Sequence, residues 1–415
     1  MQAEASKLIH QLFGASSVGR GGVRDAMQGK PNQTAGAQSP SAMAGEVHLG
    51  RQLLDFAGEL VGIPSPSGQE SEIANFVESF LNGCPKLEVV RIGDNVLART
   101  KGARTSRVLL AGHLDTVPAT GDLVGAHLSD GVLEGLGAVD MKAGLAVLLA
   151  LIREAGSAAM EVTAVFYVCE EVERARNGLV ALSRQRPDLL ECDAAVLAEP
   201  TGGSVEAGCQ GTLRLSVTLA GRRAHTARPW GGVNAAHRLG RMLSVLDANT
   251  CRSVTLDGCE FIESLQAVHV QAGVAGNVVP DSAVVVVNHR FAPDRSAQDA
   301  IDHVREVLAS GGFDASVGDQ LAVVDLAEGA KPFLDSPLLR SLVTASGRVP
   351  RAKLGWTDVA FFASRGTPAA NFGPGDPSLA HSAAERVTAG EIHDVYMTLR
   401  DVLGISRETP LQLRG

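Results

Sequence analysis

Five stretches of the chain set a histidine or a carboxylate against the end of an apolar run. After Val108-Leu109-Leu110-Ala111 comes Gly112-His113-Leu114-Asp115-Thr116, and after Val162 to Val168 comes Cys169-Glu170-Glu171. After Ala194 to Ala198 comes Glu199-Pro200-Thr201, and after Ala369 to Phe372 comes Gly373-Pro374-Gly375-Asp376, then His381. Gly137-Ala138-Val139-Asp140-Met141-Lys142 puts Asp140 just ahead of the apolar run Leu145 to Ile152. Imidazoles and carboxylates without a thiolate suit a hard-to-borderline divalent ion such as zinc. Five such donors exceed one tetrahedral site with an open position. One carboxylate shared between two ions about 3.5–4 Å apart, a recurrent hydrolytic arrangement, solves the count. His113 and Asp115 are two apart on an extended segment and point the same way. Asp115 is then placed to fix the imidazole's tautomer, direct ligation being the alternative. Glu170 and Glu171 are adjacent and cannot face a metal alike; one binds while the other takes a proton from the attacking water.

These groups meet only if the runs before them are neighbouring strands, because open α/β sheets bind ligands beyond the carboxyl ends of their strands. Short Val/Leu-rich runs separated by helical stretches such as Leu145–Ile152 predict an α/β catalytic domain, a mostly parallel sheet with helices on both faces. A helical pattern through Leu53, Leu54, Phe56, Ala57 and Leu60 begins that fold near Glu46. Residues 1–45 are rich in Gly, Ala, Ser and Gln and read as a disordered tail with a short helix near Ser6 to Phe13. Around Gly211 the pattern changes: Leu213, Leu215, Val217 and Leu219 alternate with polar residues. A helix near Asn234–Leu246, strands near Ala267–Gln271 and Ala283–Val287, a helix near Ala297–Leu308 and a strand at Leu321–Leu326 follow. The order β-α-β-β-α-β is ferredoxin-like. Residues 212–325 are thus expected as an inserted α+β domain, with 46–211 and 326–415 forming the catalytic domain.

Composition excludes several alternatives. The chain has 415 residues and a formal net charge of −9, which argues against a nucleic-acid backbone as main partner. The longest apolar run, Leu145 to Ile152, is too short to cross a bilayer, and no signal-peptide pattern opens the chain. Its 6 cysteines are scattered with no C-x-x-C pair, so a disulfide framework and thiolate zinc sites are not expected and a cytoplasmic location fits.

The quoted motifs, with Arg223-Ala224-His225-Thr226-Ala227-Arg228-Pro229 and Gly276-Asn277-Val278-Val279-Pro280, make residues 46–405 resemble a known family. It is the dinuclear zinc amidohydrolases that include aminoacylases, acetylornithine deacetylase, glutamate carboxypeptidase and succinyl-diaminopimelate desuccinylase. The resemblance implies two Zn2+ per chain, with Co2+ an alternative, Asp140 bridging them. His113 and Glu199 complete one site, Glu171 and His381 the other. It also implies Glu170 as general base, Asp115 orienting His113, and a cis peptide after Asp140. His225 would reach the partner's active site in a homodimer formed through the inserted domain and stabilise the oxyanion. Asn277, Arg290, Gly355 and Thr357 are candidate contacts to a polyanionic, acylated amino-acid substrate. Glu206–Thr212, Gly273–Asn277, Gly355–Val359 and Gly373–His381 are most similar to the actinobacterial desuccinylase branch, implying hydrolysis of N-succinyl-LL-2,6-diaminopimelate in lysine and diaminopimelate synthesis. Acetylornithine deacetylation and glutamate-releasing carboxypeptidase action are alternatives within the family. A metal-free binding homologue is one outside that chemistry. Leu136 stands where many relatives have Arg, Ala198 where Gly is frequent, and Cys209-Gln210 where some desuccinylases carry basic residues.

Overall fold

The structure, a computed structural model, describes residues 40–415 except 103, 120–124, 407, 409, 410, 412, 414 and 415, with side chains from residue 46 on. The helix expected near Ser6–Phe13 lies outside the described residues. The first described helix, Pro40–Val61, starts ahead of the expected Glu46; proline is well suited to a first helical position, where its missing N–H costs nothing.

The main sheet has eight strands in the spatial order Leu87–Ile92, Asn95–Thr100, Glu161–Tyr167, Arg107–His113, Ala194–Leu197, Ala369–Asn371, Glu206–Cys209, Arg351–Lys353. Its four central members, from Glu161–Tyr167 to Ala369–Asn371, are mutually parallel. Antiparallel pairs flank them: the hairpin Leu87–Thr100 on one side, and Glu206–Cys209 against Ala369–Asn371 on the other. Alternation along the central strands divides the core. Val108, Leu110, Ala164, Phe166 and Val196 face the helices Ala143–Glu154, Ala389–Val402 and their neighbours. Leu109, Ala111, Val165, Tyr167 and Leu197 face Gly178–Gln185 and Val359–Ala363. Burial on both faces is why these strands are nearly all apolar. Ala143–Glu154 is buried along almost its whole length, as its unbroken apolar sequence requires.

A second sheet has four antiparallel strands in the order Ser264–Ala272, Ser282–Phe291, Gly211–Ala220, Gln320–Ala327. Leu213, Leu215, Val217, Leu219, Val285 and Val287 line one face and pack on the helices Ala235–Ala248 and Ala297–Ser310. Both helices start on side-chain caps, Asn234 accepting from the His237 N–H and Ser296 sharing a capping box with Asp299. The chain order β-α-β-β-α-β and the spatial order make this the ferredoxin-like unit expected from the sequence. Among the described residues no helix is long and apolar enough to cross a membrane.

Candidate metal centre and active site

The carboxyl ends of the parallel strands bring the expected donors together. His113 is the last residue of its strand, in register with Tyr167, whose ring meets the imidazole edge-on. His113 Nε2 lies 3.0 Å from Asp140 Oδ1 and 3.9 Å from Glu199 Oε1. On the other side His381 Nε2 lies 2.7 Å from Glu171 Oε1 and 3.4 Å from Asp140 Oδ2. The two oxygens of Asp140 thus serve two different imidazoles. Ligand atoms of His113, Asp140 and Glu199 lie within 4.8 Å of one another, as do those of Asp140, Glu171 and His381 and those of His113, Glu170 and Glu171.

Backbone devices hold these side chains. The peptide Asp140–Met141 is cis. Gly137 precedes it at φ 79°, and a Cβ there would come 2.7 Å from Thr116 Cγ2, so glycine is needed both for conformation and for space. The buried carboxylate of Glu385 accepts the N–H groups of Val139 at 3.0 Å and Asp140 at 2.9 Å. Cys169, at φ 59°, turns the chain after its strand, and Glu70 accepts from its N–H and its Sγ. Asp115 then catches the next two residues: its carboxylate accepts from Glu170 N–H at 3.0 Å, Glu171 N–H at 3.1 Å and Ser67 Oγ at 2.7 Å. The His113 Nδ1–H donates to the main-chain carbonyl of Asp115 at 2.9 Å, while the Asp115 carboxylate stands 3.6 Å away. Asp115 therefore orients the imidazole chiefly through its backbone and the glutamate pair through its side chain.

The electrostatics of this cluster are those of a cation site. Burial pushes Glu170 well above the usual carboxylate range, and the Glu199 charge adds to it. Burial and the Asp140 charge lift Glu199 to about 7. Burial opposes charge on His113, yet its hydrogen bond to Asp140 and three nearby carboxylates hold it well above 6.5. Hydrogen bonds to Asp140 and Glu171 carry His381 to about 10. Four carboxylates crowded around two imidazoles, with His113 and Glu199 buried and His381 at the exposed rim, call for compensating positive charge. The donor set is oxygen and nitrogen only, as zinc or another borderline divalent ion prefers.

Beside the cluster opens a cavity of about 670 Å³. Glu170 and Glu171 line one side; Arg174, Arg214, Arg290 and Trp356 line others. Arg290 is the one proposed substrate contact of the sequence that lines it. Thr357 is buried, and its hydroxyl accepts from Asn371 Nδ2 at 3.1 Å. Gly355 is exposed beside Trp356. His225 pairs with Val278, and the next residue's N–H, Thr226, donates to the Asn277 carbonyl at 3.0 Å; His225 and Asn277 are both exposed and do not line this cavity. Glu70, Glu385, Arg174, Arg214 and Trp356 escape sequence reasoning. Trp356 had a signal, lying inside the motif Gly355–Val359. Arg214 occupies a wet position of an alternating strand, which marks a side chain as outward-facing and nothing more.

Comparison with known proteins gives the arrangement its relatives. A protein of Mycobacterium tuberculosis (strain ATCC 25618 / H37Rv) named "Putative succinyl-diaminopimelate desuccinylase DapE" is 49% identical over 352 residues, covering 85% of this chain and 98% of that one. The succinyl-diaminopimelate desuccinylase of Corynebacterium glutamicum is 46% identical over 350 residues, 83% of this chain and 94% of that one. Among solved structures, the aminopeptidase PepT of Bacillus cereus ATCC 10987 shares the fold with a TM-score of 0.70 at 17% identity, covering 85% of this chain and 98% of that one. The profile of peptidase family M20/M25/M40 matches residues 109–404, a span that holds every donor in the cluster, and the chain belongs to that family.

Proposed function

We propose that the protein hydrolyses the amide of N-succinyl-LL-2,6-diaminopimelate, releasing succinate and LL-2,6-diaminopimelate. The observation that carries this is the pairing of a two-sided donor cluster centred on Asp140 with an arginine-lined cavity that Glu170 faces. Relatives at 46–49% identity that bear the desuccinylase name support the choice of substrate.

His113, Asp140 and Glu199 would hold one divalent cation, and Asp140, Glu171 and His381 a second, zinc or cobalt by donor type. Such cations polarise a carbonyl and make water acidic enough to attack at neutral pH. Glu170 then acts twice: it takes a proton from the attacking water and returns it to the leaving amine nitrogen. Asp115 holds Glu170 at the required position through the backbone. His225 acts on the partner's site, where its imidazole donates to the developing oxyanion.

A homodimer formed through the four-stranded sheet supplies that partner. The strand Ser264–Ala272 is an edge strand, and Val268 and Val270 on it are exposed. An exposed apolar edge is ready to pair with a second copy. All six cysteines are free, which fits a reducing cytoplasm. The test is a side-by-side rate measurement on succinyl-diaminopimelate, acetylornithine and acyl-glutamates. Preference for the first is expected; preference for either of the others overturns the substrate assignment.

A further inference from the structure

We infer that Arg214, restrained by Asp325, reads a carboxylate on the acyl arm of the substrate together with Arg290; this rests on the hydrolase reading above. Arg214 pairs with Asn288 and Arg290 with Thr212 on adjacent antiparallel strands. The two arginines are therefore diagonal neighbours on one face of the sheet, within reach of each other for side chains this long. Both line the cavity that Glu170 and Glu171 also line. Among the described residues, neither guanidinium makes a hydrogen bond. Arg214 has one anionic neighbour, Asp325, at 3.8 Å with both side chains about half exposed, a contact too long and too wet to occupy the fork. Burial and the Arg214 charge both depress Arg290 from its usual value. Two like charges held side by side in a cavity with their donors open form a receptor for a planar anion, which a carboxylate fills bidentately.

The remaining cation of the cavity separates the two ends of the substrate. Arg174 lies over the Trp356 ring, 5.8 Å from its centroid, on the same loop as Glu170. Glu170 must reach the leaving nitrogen, so the amine half of the substrate runs along that loop. The sheet carrying Arg214 and Arg290 is left for the acyl half. Asp325 is brought opposite Arg214 by a bulge between Val323 and Asp325. There its charge repels an incoming carboxylate without filling the Arg214 fork, which disfavours weakly held anions.

The test uses the full-length, metal-loaded protein and two substrates that differ only in the acyl carboxylate, N-succinyl- and N-acetyl-LL-2,6-diaminopimelate. Arg214→Gln is expected to raise KM for the succinyl substrate roughly tenfold to hundredfold, the range for losing a charge-assisted pair, with the acetyl substrate unchanged. Asp325→Asn is expected to lower KM for the succinyl substrate and leave the acetyl one unchanged. Equal losses on both substrates from Arg214→Gln, or no loss on either, overturn the assignment. If the wild type hydrolyses neither substrate, it is the hydrolase reading that fails, and succinate binding by calorimetry decides the subsite: weaker binding to Arg214→Gln sustains it, equal binding overturns it.

Discussion

Asp115→Asn separates the role of a buried carboxylate from that of its shape. Asp115 is fully buried; its Oδ1 accepts from Glu170 N–H, and its Oδ2 from Glu171 N–H and Ser67 Oγ. Asparagine offers one oxygen and one NH2. Whichever way the amide turns, the NH2 confronts one of the two backbone N–H groups and leaves it unpaired. An orphaned buried donor costs about 1–3 kcal/mol, and the surviving bonds lose their ionic half, so the total comes to about 2–5 kcal/mol. That is less than the roughly 5–15 kcal/mol that holds a typical domain together, so the variant folds. The released backbone carries Glu170, and a misplacement of about 1 Å at a reacting group costs about 10²-fold in rate. Urea unfolding in chelator, where metal binding does not contribute, reads the first quantity; turnover of the reloaded enzyme reads the second. A stability loss below about 0.5 kcal/mol, the range of an ordinary surface substitution, with turnover intact would refute the reasoning.

Other perturbations have equally definite outcomes. Glu170→Gln should lower turnover by roughly 10²–10⁴ while elemental analysis finds the metals still bound; wild-type turnover would remove Glu170 from the base role. Mixing Glu170→Gln chains with His225→Ala chains should restore about a quarter of wild-type activity, since half of randomly formed dimers then hold one complete site; no recovery would mean that His225 acts within its own chain. Glu385→Ala orphans the N–H groups of Val139 and Asp140, and should cost about 2–6 kcal/mol and weaken metal retention in competition with a chelator. Asp319 is lowered below its usual 3.8: burial opposes its charge, but Arg238 and the N–H groups of Ala220 and Asp314 more than compensate. Its stabilisation is therefore present above pH 3.8 and fades as pH falls toward the folded-state value. The gap in unfolding free energy between wild type and Asp319→Asn should be about 3–5 kcal/mol at neutral pH and shrink below pH 4.

The donors were legible in the sequence because strand ends announce them. An apolar run buried on both faces is easy to see, and in a parallel sheet the residues just after it must sit on one rim. His113, Glu170, Glu171 and Glu199 follow that rule, and Asp140 and His381 join them by motif. The residues that hold the donors are silent for an equally physical reason. Glu70 and Glu385 act by accepting backbone N–H groups from segments 99 and 245–246 residues away, and a backbone donor has no side-chain identity to recognise. The strands Glu206–Cys209 and Arg351–Lys353 are short and lack β-rich composition; pairing with each other and with Ala369–Asn371 makes them strands. Thr357 and Trp356 show the limit at a single residue. Both lie in one motif, but loop geometry turns the threonine toward Asn371 and the indole into the cavity wall, a parity that spacing does not encode.

The account stands on Asp140 uniting two cation sites that Glu170 serves. Its most direct test is a titration of chelator-stripped protein with zinc, following bound metal by elemental analysis and hydrolysis of N-succinyl-LL-2,6-diaminopimelate in the same samples. Two equivalents per chain should bind, with Asp140→Ala weakening both, and hydrolysis should rise with occupancy. Full hydrolysis by the stripped protein, or an Asp140→Ala chain that still binds two equivalents as tightly as the wild type, would contradict it.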